Sequence, residues 1–182
     1  LAQDHALLIE WPERLEGLEL SQDVLTLALT GAGDVRHIEV EAKGRWLRCL
    51  ARDATIETFL SDAGVESTSR SVLQGDASTR RYETVARNAS TVVLMDMPAR
   101  SDPTIVKHGK SYSALVHLAD EITPVIAINH HLVELGYSAP RIYTDNREQG
   151  LALIEYLDGE VHGDMRRRGD DMLEPMRSAV AV

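Results

Sequence analysis

A single cysteine, Cys49, stands among 182 residues. It excludes an internal disulfide framework and fits a reducing compartment. No apolar run approaches ~20 residues, so neither a secretory leader nor a spanning helix is expected, and the chain reads as a soluble, cytoplasmic protein with no membrane partner. Basic residues are also scarce, 19 Lys and Arg against 29 Asp and Glu for a net charge of -10. That balance argues against a general nucleic-acid-binding surface, which needs a positive field. Arg166, Arg167 and Arg168 lie among Asp164, Asp170 and Asp171 and read as a solvated helix face. Internal repeats, low-complexity linkers and the Gly-x-x-x-x-Gly-Lys-Ser/Thr phosphate loop are all missing. The histidines lack metal-ligand spacing: His130 and His131 project about 100° apart on a helix, and His130, following Ile126, is expected against a sheet. No structural zinc is expected. With 43% hydrophobic residues the chain can still bury a core.

The most informative stretch is Leu73-Gln74-Gly75-Asp76-Ala77-Ser78-Thr79-Arg80-Arg81-Tyr82. A Gly-Asp-Ala-Ser turn between two strand-like runs suits a hairpin that covers phosphates. Gly75 allows close backbone approach, Ser78 and Thr79 offer hydroxyls, and Arg80 and Arg81 offer charge. The same tetrapeptide also occurs in hairpins that bind nothing.

Its surroundings give the turn a frame. Residues 69–73, 81–86 and 91–98 read as three successive strands, the last the most buried. A long polar loop follows. Residues 122–135 then carry apolar positions at helical spacing, with Thr123-Pro124 as the start and Gly136 as the stop. Two more strands, 140–144 and 150–156, are joined by the polar turn 145–149. Three strands, a helix and two strands make the antiparallel five-stranded small lobe of a protein-kinase-like fold.

Four separated motifs now carry a resemblance: Gly75 to Tyr82, Leu94-Met95-Asp96-Met97-Pro98, Leu135 to Tyr143, and Leu151 to Leu157. In this order they resemble the aminoglycoside-phosphotransferase superfamily, above all its branch of AmgK-like cell-wall amino-sugar kinases, which phosphorylate N-acetylmuramate and N-acetylglucosamine at the anomeric position. The resemblance implies ATP with magnesium as cofactors and a small-molecule sugar as substrate. It places Gly75, Asp76, Ala77, Ser78, Thr79 and Arg80 over the ATP phosphates and makes Glu155, Tyr156 and Leu157 the hinge that meets adenine. Kinases of this kind end the third strand near a phosphate-gripping lysine; here stands Met95-Asp96-Met97-Pro98. Arg80, Arg81, Lys107 and Lys110 are the candidates to replace it. Asp96 is either a strand-end residue bonded to the following turn or a group near the nucleotide.

The first quarter reads differently. Residues 6–15 form an apolar run that ends in an acid, an aromatic and a proline, a pattern for a buried strand delivering Glu10 and Trp11 to its carboxyl end. A hairpin follows, with strands at 23–29 and 35–41 around Thr30-Gly31-Ala32-Gly33-Asp34. The string Ile9-Glu10-Trp11-Pro12-Glu13-Arg14 resembles the TsaE family of P-loop ATPases that support threonylcarbamoyladenosine formation on tRNA. On that resemblance Glu10 and Trp11 lie beside a bound nucleotide, TsaB and TsaD proteins are partners, and the phosphate loop lies upstream of Leu1. The expected fold class is therefore α+β: the C-terminal strands of a P-loop α/β domain over residues 1–52, then a kinase-like small lobe over 53–182. Its first helix is expected to open near Asp53 and to close at Ala63-Gly64.

The chain begins without methionine and is expected to be an internal piece of a longer protein. Kinases also need a catalytic His-x-Asp-x-x-x-x-Asn. His162-Gly163-Asp164 imitates its start, but Gly169 stands where asparagine should, and the triplet follows the hinge too closely. His162 and Asp164 are therefore not assigned catalytic roles, and residues 163–168 read as a short helix. Three readings remain open: a sugar phosphotransferase fused to a TsaE-type ATPase, a TsaE-type ATPase with a kinase-like appendage, and a nucleotide-binding module without activity of its own.

Overall fold

A computed structural model describes residues 7–14, 22–66, 69–73, 80–88, 90–100, 105–160 and 162–180. The chain divides into two compact units, residues 1–55 and residues 56–182.

In the first unit, β1 (Leu25–Thr30) pairs antiparallel with β2 (His37–Ala42), with Leu27 opposite Val40 and Leu29 opposite Ile38. Alternation collects these side chains on one face, and all four are about half exposed or more. Helix α1 (Arg45–Asp62) opens eight residues before the expected Asp53. The reason is a long-range cap: Asp23 Oδ1 accepts from the Arg45 N–H at 2.6 Å, so the helix is initiated by a residue 22 positions upstream. The division between units falls inside α1. The expected strand before this hairpin is absent among the described residues. Leu7 and Leu8 are more than 80% exposed, and Trp11-Pro12 bends the chain into a single 3-10 turn, Pro12–Arg14. No strand of this unit offers that run a ladder, and Trp11 adopts φ 58.

The second unit is a mixed α and β structure around a five-stranded antiparallel sheet. Its strands are β3 (Ser71–Leu73), β4 (Arg81–Arg87), β5 (Ser90–Asp96), β8 (Ile142–Asn146) and β9 (Leu151–Glu155), in the spatial order β3-β4-β5-β9-β8. Helix α3 (Ile122–Glu134) lies in sequence between the third and fourth of these strands. Thr84, Val85, Thr91, Val92 and Val93 supply the β-branched side chains that suit a pleated, packed surface. The central strand β5 is buried from Val92 through Asp96, because both of its faces are covered.

One face packs Val85, Val92, Leu94, Leu151 and Leu153 against Ile56, Phe59 and Leu60 of α1. The other packs Met95, Met97 and Ala152, with Tyr82 and Ile154, against Ile122 and Ile126 of α3. Arg70 clamps the first layer: it donates to Glu83 at 2.7 Å and to Glu57 at 2.8 Å. On α3, Asn129 rather than His130 points inward, donating to the Pro140 carbonyl at 2.8 Å. His130 is exposed. The expected packing of His130 on the sheet fails because a helix repeating every 3.6 residues carries the inward line from Ile122 through Ile126 to Asn129.

The stretch expected to be a polar loop contains a small hairpin, β6 (Ile105–Lys107) with β7 (Lys110–Ser111), and the one-turn helix α2 (Tyr112–Leu115). Its turn residues His108 and Gly109 both have positive φ, as a primed hairpin turn requires. Two short helices, α4 (His162–Arg168) and α5 (Leu173–Val180), close the described chain. Among the described residues no helix is long and apolar enough to cross a membrane.

Candidate functional site

Strand parity decides where each predicted site residue can act. On β4, Val85 belongs to the α1 layer and Tyr82 to the α3 layer, so odd residues face α1 and even residues face α3. Arg81 stands directly opposite Asp96, and both fall on the α1 side with Glu83, Leu94 and Leu153. Asp96 is 7% exposed and takes part in a polar interaction. Its neighbours Met95 and Met97 point to α3 instead. Asp96 therefore sits on the opposite sheet face from Met95, Ala152 and Ile154.

Antiparallel pairing sets Arg81, Asp96 and Leu151 side by side at one end, and Val85, Val92 and Glu155 side by side toward the other. These levels are four residues apart, roughly 13 Å along a strand. Of the predicted phosphate turn, Gly75, Asp76, Ala77, Ser78 and Thr79 lie outside the described residues. Arg80 is described and half-buried, one residue before β4. At the far end, the Glu155 carboxylate accepts from the Arg141 N–H at 3.0 Å, and the Glu155 N–H donates to the Arg141 carbonyl at 2.8 Å. This double contact ties the exit of β9 to the entry of β8. Tyr156 and Leu157 follow it, 39% and 59% exposed. Arg87, on the α1 side, stacks 5.0 Å from the Tyr143 ring centroid.

The level of Arg80 has a further structural constraint that the sequence reading missed. The Met97 N–H donates to the Gly150 carbonyl at 2.8 Å, extending the β5–β9 ladder by one step. Gly150 has φ 66, and a Cβ there would meet the Met97 carbonyl oxygen at 2.2 Å. Only glycine allows this approach. The signal lies in Gln149-Gly150 before an apolar run: Gly150 ends the turn, and β9 opens one residue later than the expected 150.

Helix α3 also lacks an expected partner. Protein kinases pair the strand lysine with a helix glutamate. Here the strand offers Met95 and Met97, and between Ile122 and Val133 the helix holds no carboxylate. Along β5 and over residues 122–133 of α3, neither member of that pair is present. Lys107 and Lys110 are exposed on the separate β6–β7 hairpin. Among the described residues, no group of His, Cys, Asp and Glu could hold a metal ion. No magnesium ligand is assigned.

Comparison with known proteins adds direct support for part of this picture. The chain is 30% identical over 129 residues to the N-acetylmuramate/N-acetylglucosamine kinase of Caulobacter vibrioides. That match takes in 66% of this chain and spans 36% of the relative's length. No protein-family model and no solved structure matches the chain. The chain is thus similar to part of a kinase of that name, and none of these comparisons bears on the TsaE resemblance.

The remaining predicted residues lie apart from the sheet ends. Glu10 is exposed, and Trp11, 62% exposed, stacks 5.1 Å from the Arg14 guanidinium. His162-Gly163-Asp164 forms the first turn of α4, which starts at His162, and the Asp164 carboxylate is engaged by Arg167. Arg168 is held more firmly protonated than usual by hydrogen bonds to Asp170 and Glu160. These contacts describe a surface helix laced with ion pairs.

Proposed function

We propose that residues 56–182 form the nucleotide-covering lobe of an ATP-dependent sugar phosphotransferase acting on N-acetylmuramate or N-acetylglucosamine. The similarity to a kinase of that name carries the reading. The fold is compatible with it: the sheet order β3-β4-β5-β9-β8, with α3 between β5 and β8 in sequence, sets the last residue of β3 and the exit of β9 at opposite ends of one sheet. ATP would lie along the α3 face, with adenine near the backbone of Glu155, Tyr156 and Leu157 and the phosphates toward Gly75 to Arg80. The assignment of Gly75, Asp76, Ala77, Ser78 and Thr79 rests on sequence.

In this reaction the anomeric hydroxyl oxygen of the sugar attacks the γ-phosphorus in line. The bond to the bridging oxygen breaks, ADP leaves, and the hydroxyl proton passes to a base. This lobe's part is positioning and electrostatic stabilisation. For the first unit, a TsaE-like role with Glu10 and Trp11 beside a nucleotide, and TsaB or TsaD as partners, rests on the string Ile9 to Arg14 alone.

The test is ATP consumption by the full-length protein with N-acetylmuramate, N-acetylglucosamine or an aminoglycoside, beside the double variant Gly75→Val, Ser78→Ala. Amino-sugar-dependent turnover that collapses in the variant is expected. ATP hydrolysis indifferent to every sugar and intact in the variant would overturn the reading.

A further inference from the structure

The geometry points to Arg80 as the cation that takes the place of the missing strand lysine, contacting the β- and γ-phosphates from the β4 side of the sheet. This assignment rests on the phosphotransferase reading above and deepens it. Four candidates could have supplied the charge, and the fold separates them. Arg81 is turned to the α1 face, opposite Asp96. Lys107 and Lys110 stand on a hairpin outside the five-stranded sheet. Arg80, one residue earlier than Arg81, continues the even line of Tyr82 and so belongs to the α3 face.

Register sets its level. The β4–β5 ladder ends at the pair Arg81–Asp96, and Arg80 stands one residue outside it, at the end of the sheet where the Met97 N–H donates to the Gly150 carbonyl. Arg80 thus stands at the same end of the sheet as Asp96, where the third strand ends. Arg80 is half-buried, yet among the described residues no hydrogen bond or ion pair engages it. Arg70, by contrast, is matched by Glu57 and Glu83, and Arg147 by Asp145. A partly desolvated guanidinium favours an anionic ligand, and its planar fork matches phosphate oxygens. The absence of an interior carboxylate on α3 fits the same scheme, because a cation delivered from β4 needs no helix glutamate to orient it.

The experiment is calorimetric titration of the full-length protein with adenosine, AMP, ADP and MgATP, in the wild type and in Arg80→Ala, Arg80→Lys and Arg81→Gln. In the wild type, affinity rises along the series. Arg80→Ala should lose about tenfold or more of the gain made on adding the β- and γ-phosphates, the size expected for a charge-assisted hydrogen bond, while its adenosine affinity stays unchanged. Arg80→Lys should restore part of that gain, and Arg81→Gln should keep all of it. Unchanged adenosine affinity verifies that the variant is folded; if the alanine variant fails to fold, Arg80→Gln supports the same comparison. A full phosphate gain in Arg80→Ala overturns the assignment while leaving the phosphotransferase reading intact. An equal loss in Arg81→Gln overturns the parity argument. Failure of the wild type to bind any member of the series overturns both the assignment and the reading it rests on.

Discussion

Replacing Gly150 with alanine should destabilise the second unit far more than the same change at Gly136, and the difference measures how tightly the sheet is closed at the level of Arg80. Both glycines have positive φ, 66 and 86, so each alanine incurs the left-handed penalty of about 1 kcal/mol. At Gly136 nothing lies within 4 Å of the added Cβ. At Gly150 the methyl would stand 2.2 Å from the Met97 carbonyl oxygen and 2.8 Å from the Pro98 Cα, which are backbone atoms that cannot swing aside. Relieving that overlap costs about 1–3 kcal/mol by analogy with overpacked cores, and weakening the Met97–Gly150 hydrogen bond about 1 kcal/mol more. The expected totals are therefore about 1 kcal/mol for Gly136→Ala and about 3–5 kcal/mol for Gly150→Ala. Native-state hydrogen exchange at the Leu94 and Leu153 amides reads the opening free energy of this sheet directly, whatever the first unit does. Equal losses in the two variants, to within about 0.5 kcal/mol, would refute the claim that Gly150 is required by a close backbone approach.

Arg70→Met should cost about 2 kcal/mol, since it leaves Glu57 and Glu83 facing each other without their shared cation, discounted for the partial exposure of all three side chains. Chemical denaturation by urea checks this, and the loss should shrink in concentrated salt; a neutral variant would mean the clamp is ornamental. Glu155→Ala should lower stability by about 1 kcal/mol through the lost acceptor for the Arg141 N–H while leaving adenosine affinity unchanged, because the proposed adenine contact is made by backbone. A large drop in adenosine affinity with unchanged stability would reverse that division of roles.

The sheet was legible because its signals are local: alternating or continuous apolar runs with β-branched residues bounded by turns predicted all five strands and α3. What escaped depended on distance in sequence. The start of α1 is set by Asp23, and no window around Arg45 contains that residue. Residues 7–9 carry a buried-strand composition, yet a strand needs a neighbouring ladder that composition cannot supply. The hairpin at His108-Gly109 was hidden by its charged flanks, Lys107 and Lys110. Asp96 could not be placed because its face depends on which helix covers which side of the sheet. The same information separates Arg80 from Arg81, two adjacent arginines that sequence alone treats as equivalent.

Because β5 is covered on both sides, its length cannot drift by one. A single residue inserted between Ser90 and Thr91 would send Leu94 toward α3, Met95 toward α1 and the buried carboxylate of Asp96 to the other layer, inverting every downstream contact at once. Related chains are therefore expected to vary freely in the loops between β5 and α3 while holding the spacing from Val92 to Met97 constant. Insertions there, if they occur at all, should come in pairs.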